Sequence, residues 1–100
     1  MRVIAVHPLR EFWHRHRDAE APLRIWLEQV RQAQWRRPSD IKTQFGSASI
    51  LKNRRVVFNI KGNDYRLVAA LAYNTSLVFV KFVGTHKAYD GIDAETVELE

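Results

Sequence analysis

The sequence predicts a small α+β domain of two layers, built in the order β-α-α-β-β-β. Two observations indicate this fold class. Apolar residues recur at helical spacing in the first half of the chain, and from residue 54 onward they form extended runs separated by short polar turns. The 100 residues, 46% of them hydrophobic, suffice for one small core. Residues 1–100 are therefore expected to form a single domain, which excludes an active site between domains.

The first half of the chain begins with a short apolar strand, expected at residues 2–6. Pro8 suits the first turn of a helix, whose apolar face comprises Leu9, Phe12, Trp13 and His16. A second helix begins within residues 18–22, and its apolar stripe comprises Leu23, Trp26, Leu27, Val30 and Ala33. Pro38 ends this helix, because the residue before a proline is pushed out of helical conformation. A short helix capped by Ser39 or Asp40 is expected at residues 39–45, followed by a connecting loop over 46–53.

Three extended segments follow, at residues 54–60, 64–73 and 77–85. The turns between them, 61–63 and 74–76, have the length and composition of hairpin turns, which predicts an antiparallel meander. These strands are nearly apolar on both faces. The helices can cover only one face, so the other is expected to be partly covered by something else or to be used for binding.

Charge is distributed unevenly along the chain. The net charge is +5 overall, with +10 in residues 1–89 and −5 in residues 90–100. A body this basic suggests a polyanionic partner, most commonly nucleic acid. For the acidic tail, residues 91–100, two alternatives remain. It folds back near the basic surface and moderates non-specific RNA binding, or it is a frayed, solvated terminus.

Several classes of protein and site are excluded by what the sequence lacks. There is no cysteine for disulfides, zinc thiolates or a thiol nucleophile, and His14 and His16 are spaced too closely for one helix face to present both to a metal. We therefore expect no metal and no cofactor. The apolar run at residues 3–6 is too short for a signal peptide or a membrane span, which predicts a cytoplasmic protein without a membrane partner.

Cationic and titratable side chains interrupt the last two predicted strands. Arg66 and Lys81 lie within apolar runs, where a cation held on the sheet surface could meet phosphate. Thr85 can cap a short helix that brings His86 and Tyr89 to one face, placing an imidazole beside a phenol. The alternatives are solvent-facing cations whose stems cover their neighbours, and a structural histidine.

Several segments of the chain resemble the HigB family of type II toxin-antitoxin systems. The resemblance covers nearly the whole sequence, and the combination of Asn-x-Tyr-Arg-Leu with Thr-His-x-x-Tyr-Asp is its most specific part. The segments that carry it are residues 57–68 and 81–90, Asp18-Ala19-Glu20 with Leu23 and Trp26, residues 35–38, and Phe45 with Ser47-Ala48.

This resemblance implies a RelE-like endoribonuclease that cleaves mRNA without a metal, usually on the ribosome. It also implies a HigA-type antitoxin with a helix-turn-helix, through which alone operator DNA would be contacted. In such an enzyme the ribose 2′-OH attacks the adjacent phosphate, cations stabilise the phosphoryl oxygens, and an acid protonates the leaving 5′-oxygen.

The resemblance also implies roles for individual residues. The expected catalytic residues are Arg66, Lys81, His86 and Tyr89. The expected additional RNA-binding residues are Lys61, Lys87, Arg54 and Arg55. The alternative function is a non-catalytic basic module that binds RNA or the ribosome, which would show salt-sensitive RNA binding without strand cleavage.

Overall fold

A computed structural model describes residues 1–99, in which five strands form one sheet and four α-helices pack with it. The elements in chain order are β1 (Arg2–Ile4), α1 (His7–Arg15), α2 (Glu20–Gln32), α3 (Pro38–Gln44), β2 (Ser49–Ile50), β3 (Arg55–Ile60), β4 (Tyr65–Ala72), β5 (Leu77–Thr85) and α4 (His86–Tyr89). Turns of 3₁₀ helix at Arg17–Ala19 and Tyr73–Thr75 connect neighbouring elements. The predicted α+β class is confirmed.

The sheet has the strand order β1-β5-β4-β3-β2. Strands β2 to β5 run antiparallel to their neighbours, as the predicted meander requires, whereas β1 pairs in parallel with β5. Parallel neighbours need a long crossover connection, and here it consists of the helices and strands β2 to β4 between β1 and β5. Strand β5 therefore lies inside the sheet, with β1 on one side and β4 on the other.

The observed elements differ from the predicted ones mainly at their ends. Strand β1 ends at Ile4, because Ala5 has a φ of +73° and turns the chain away. Helix α2 ends at Gln32, several residues before the position at which Pro38 was predicted to end it. Strand β2 lies within the predicted loop and pairs with β3, but two residues are too few to show a periodicity. Helix α3 starts at Pro38, and Asp40 caps it from inside by accepting the N–H groups of Arg36 and Arg37.

The main core lies between the helices and one face of the sheet. Its fully buried side chains include Leu9 of α1, Leu23 of α2, Ile41 of α3 and Phe58 of β3. Trp26 of α2 meets Phe58 edge to face, with ring centroids 5.4 Å apart. This layer supports the sheet from behind, so the strands that carry the candidate site rest on the larger of two cores.

The opposite face of the sheet is covered by the C-terminal segment, defined here as residues 91–99. Ala94 is buried there against Val57 and Val68, and Ile92 and Val97 pack around them. Over residues 91–99 the tail therefore folds back onto the sheet, whereas Glu100 lies outside the described residues. The predicted effect of the tail on non-specific RNA binding stays a prediction. The second apolar face expected from the sequence is covered by the chain itself.

A β-bulge in β5 changes which side chains reach this second face. Val68 is paired with Phe82, whereas the next residue, Ala69, is paired with Val80. Lys81 is thus the extra residue of the bulge, and a bulge re-aims the side chains beside it. As a result Phe82 joins the cluster under the C-terminal segment, while Val80 belongs to the main core.

None of the helices within residues 1–99 is both long and apolar enough to cross a membrane.

Candidate active site

An open cleft of about 640 Å³ lies where β4 begins and β5 ends. The β3–β4 turn forms one wall, and the start of α4 forms the other. Its lining residues are Asn63, Asp64, Tyr65, Arg66, Thr85, His86 and Lys87. The cleft therefore brings together residues from the two motifs that the sequence separates by about twenty positions.

Arg66 lies on the floor of this cleft, paired across the sheet with Gly84. Its Nη1 donates to the carbonyl oxygens of Asn63 at 3.0 Å and Tyr65 at 3.3 Å. Its guanidinium carbon is 5.8 Å from the centroid of the Tyr89 ring, within range of a cation–π interaction. Both of these hydrogen bonds within residues 1–99 come from Nη1, so the N–H groups on Nε and Nη2 remain for an anionic ligand.

Gly84 is required here by close packing rather than by an unusual backbone angle. A Cβ at this position would lie 2.6 Å from the tip of the Phe82 ring and 3.4 Å from the Cβ of Ala88. The Phe82 ring in turn packs against Tyr89, with centroids 6.4 Å apart. The missing side chain of Gly84 thus allows the aromatic contacts that hold Tyr89 beside Arg66.

Helix α4 presents His86 at the rim of the cleft. The Thr85 hydroxyl accepts the N–H of Ala88 at 3.1 Å, which confirms the predicted cap, and the backbone N–H of His86 donates to the Asp64 carbonyl at 3.0 Å. The imidazole is about half exposed, and its Nδ1 lies 3.6 Å from a carboxylate oxygen of Asp90. This arrangement fixes the backbone of His86 and leaves its ring accessible to a ligand.

The β3–β4 turn is tied to the helical layer through Asp18. This carboxylate accepts a short hydrogen bond from the Tyr65 hydroxyl and pairs with Lys61 Nζ at 2.7 Å, while Lys61 also lies 3.4 Å from Asp64. Hydrogen bonds from Lys61 and then Tyr65 lower the pKa of Asp18. The same carboxylate raises the pKa of both Lys61 and Tyr65. Lys61 therefore holds the β3–β4 turn in place through its ion pairs with Asp18 and Asp64.

Lys81 and Arg55 meet at the far side of the second face, where both contact Glu98. The Lys81 Nζ is 2.7 Å and the Arg55 Nη2 is 2.6 Å from its two carboxylate oxygens. Hydrogen bonds from Lys81 and then Arg55 lower the pKa of Glu98. Arg55 is only 6% exposed and also donates to the Val97 carbonyl at 2.6 Å.

The structure brings together some of the predicted site residues and separates others. Those at the cleft are Arg66, His86 and Lys87, with Tyr89 adjacent. Lys81 lies three residues before Gly84 on β5, so it is roughly 10 Å along the strand from Arg66. Arg55 is buried under the C-terminal segment, and Arg54 is exposed at the start of β3 with a φ of +57°.

Three acidic partners of the predicted site residues, Asp18, Asp90 and Glu98, were not predicted from the sequence. The spacing of His86 and Asp90, four residues apart on a helix, was a usable signal. The contacts of Asp18 with Tyr65 and of Glu98 with Lys81 join distant parts of the chain and left no local pattern. Across residues 1–99, no three His, Asp or Glu side chains converge as a metal site would require.

Comparison with known proteins identifies the family of this chain. The profile of the HigB toxin family, described as the RelE-like toxic component of a toxin-antitoxin system, matches residues 19–92. The chain belongs to this family. The matched region of this HigB family member includes the whole cleft and ends just inside the C-terminal segment. Glu98 therefore lies beyond the matched region, whereas its partners Lys81 and Arg55 lie within it.

Individual relatives of the HigB family are similar at a modest level. The mRNA interferase toxin HigB of Escherichia coli strain K12 is 30% identical over 63 residues, which is 61% of this chain and 61% of that protein. Proteins of Escherichia coli O157:H7 and Shigella flexneri, both named mRNA interferase HigB, match to the same extent. The match thus spans about three-fifths of the length of these curated relatives.

Proposed function

We propose that this HigB family member is the toxin of a type II toxin-antitoxin system and an endoribonuclease that cleaves mRNA. The observation that carries the proposal is the cleft itself. Within the region shared with the family, it places the Arg66 guanidinium, the accessible His86 imidazole and Lys87 around one open space. An anion-binding arginine next to a group that transfers protons is what cleavage of a phosphodiester by its own 2′-OH needs.

In the proposed reaction the ribose 2′-oxygen loses its proton to a base and attacks the adjacent phosphorus. The bond from phosphorus to the 5′-oxygen then breaks, an acid protonates that oxygen, and a cyclic phosphate remains. Arg66 binds the phosphoryl oxygens as their charge increases, and His86 transfers a proton. Tyr89, beside the guanidinium, stacks on a base or takes part in proton transfer. Lys87 at the rim binds a neighbouring phosphate.

The proposal extends to the setting in which the enzyme acts. The family description includes an antitoxin, and we propose a HigA-type helix-turn-helix protein in that role. Operator DNA would be contacted through that antitoxin alone. We further propose that cleavage takes place in the cytoplasm, on mRNA held by the ribosome, and without a metal ion or cofactor.

The decisive experiment combines growth with mapping of mRNA ends. Expression of the wild-type chain without an antitoxin should arrest growth and create new mRNA ends within codons on translating ribosomes. Arg66→Ala should lower cleavage by about a hundredfold to a thousandfold, the usual loss when one group that stabilises transition-state charge is removed. His86→Ala and Tyr89→Ala should also lower it, because the first removes the proton-transferring imidazole and the second removes both the ring and the hydroxyl of Tyr89.

Arg31→Ala is the matched control, since it removes an exposed arginine from α2 with the same change in net charge. It should cleave like the wild type. RNA binding without any new mRNA ends would instead support the non-catalytic RNA-binding module. Unchanged cleavage in the Arg66, His86 and Tyr89 variants alike would refute the assignment of the cleft.

A further inference from the structure

Two cations on the second face of the sheet share one carboxylate. Glu98 places one oxygen 2.7 Å from Lys81 and the other 2.6 Å from Arg55. The Arg55 side chain is only 8% exposed, and that of Lys81 is 24% exposed. A buried guanidinium is costly unless an anion pairs with it. Arg55 and Lys81 therefore form an anion site, and the end of the C-terminal segment occupies it.

The occupant of this site resembles an RNA phosphate in its chemistry. A phosphodiester, like a carboxylate, offers two oxygens that share one negative charge. Arginine binds such a pair with its forked N–H groups, and lysine adds a mobile point charge. Arg55 supplies the forked N–H groups and Lys81 the point charge. Each lies within hydrogen-bonding distance of a different oxygen of the same anion.

The position of the anion site connects it with the cleft. Lys81 and Arg66 lie on neighbouring strands and face the same side of the sheet as Phe82 and Tyr89. Roughly 10 Å of strand separates Lys81 from the residue opposite Arg66. A single RNA strand several nucleotides long, with one phosphate at Arg66, could place another at Lys81.

We propose that Arg55 and Lys81 form a second phosphate-binding site for RNA, which Glu98 occupies until RNA displaces it. This inference rests on the proposed function, since it concerns how the same RNA is bound. Displacement requires only the end of the C-terminal segment to move. Ala94 stays buried against the sheet, and Asn53 holds the Glu95 carbonyl at 3.2 Å.

Glu98 then lowers RNA affinity, because only the fraction of molecules with the anion site open binds RNA fully. Binding is measured by fluorescence anisotropy with a labelled single-stranded RNA whose 2′-O-methyl groups prevent cleavage. Because the closed form dominates in the wild type, Glu98→Gln should bind this RNA about three to ten times more tightly. Glu95→Gln is the matched control, since it changes the charge of the same segment equally. Its carboxylate forms no ion pair within residues 1–99, so its affinity should stay near that of the wild type.

A double-mutant cycle tests whether the gain comes from the proposed site. Lys81→Gln should abolish the gain when it is combined with Glu98→Gln, because the uncovered site then lacks one of its cations. Urea unfolding of each variant establishes that it is folded. If Glu98→Gln does not fold, Glu98→Ala removes the same carboxylate and takes its place in the cycle.

Three outcomes would overturn the inference. Equal RNA affinity of the Glu98 and Glu95 variants shows that the carboxylate is only structural. A gain that survives Lys81→Gln places the effect elsewhere. Tighter binding of poly-glutamate without tighter binding of RNA identifies an acidic protein as the ligand. Cleavage is measured separately, so a chain that binds RNA as expected but creates no mRNA ends contradicts the nuclease and leaves the anion site supported.

Discussion

At the scale of single residues, the cleft depends on packing around it as well as on the residues that line it. Gly84 is the clearest case, because the space above it is filled by Phe82. Gly84→Ala forces the Phe82 ring to move, and with it the support for Tyr89. We expect a loss of about 1–3 kcal/mol in the free energy of unfolding, the usual cost of overpacking. Cleavage should fall more than RNA affinity, since Arg66 remains while its neighbour shifts.

Urea unfolding and single-turnover cleavage measure the two effects of Gly84→Ala. Gly46→Ala is a suitable control, because a Cβ there would meet no atom within 4 Å. It should leave cleavage unchanged. A Gly84→Ala protein with wild-type stability and cleavage would show that the Phe82 ring yields without moving Tyr89.

The contact between Asp18 and Tyr65 predicts a stability that falls in alkali. The pKa values of Tyr65 and Lys61 are raised above their ordinary values of 10.0 and 10.5 by the Asp18 carboxylate. The folded state therefore keeps both protons at pH values where the unfolded chain has begun to lose them. Stability from these groups is complete below pH 10 and is lost as the pH rises through the raised pKa values.

This loss is measured as the slope of the unfolding free energy against pH above pH 10. Tyr65→Phe should make the slope shallower, because one of the two groups no longer titrates. Asp18→Asn should do so as well, since it removes the common cause of both shifts. Equal slopes in all three proteins would mean that the turn is not held by this cluster in solution.

At the scale of elements, most helices and strands could be predicted from local sequence patterns. The features that could not be predicted depend on contacts between residues far apart in the chain. The cap of α4 follows from Thr85, and the extent of β5 follows from one apolar run, so both were predictable. The bulge at Lys81 was not, because it depends on how β5 pairs with β4. The pairing of Arg55 with Glu98 likewise joins residues more than forty positions apart.

At the scale of the whole molecule, the sheet separates two cores of unequal size. The larger core is formed by the helices, and the smaller one by the C-terminal segment around Ala94. The opposite charges of body and tail also meet here, because Glu98 of the segment pairs with Arg55 and Lys81 of the sheet. Near Glu98 the C-terminal segment is held by ion pairs as well as by apolar contacts, whereas around Ala94 the contacts are apolar. A change of pH should therefore loosen the segment near Glu98 more than around Ala94.

Acid should therefore release the end of the C-terminal segment before the molecule unfolds. The pKa of Glu98 is held below its ordinary value of 4.5 by Lys81 and then Arg55. Its contribution to docking is complete above pH 4.5 and is lost as the pH falls through the lowered pKa. Amide NMR shifts of Val97 and Leu99 should change in that window, while those of buried Ala94 should not. In Glu98→Gln the shifts should already resemble the acid form at neutral pH. Val97 shifts that change only together with those of the main core would show that the segment docks through its apolar contacts alone.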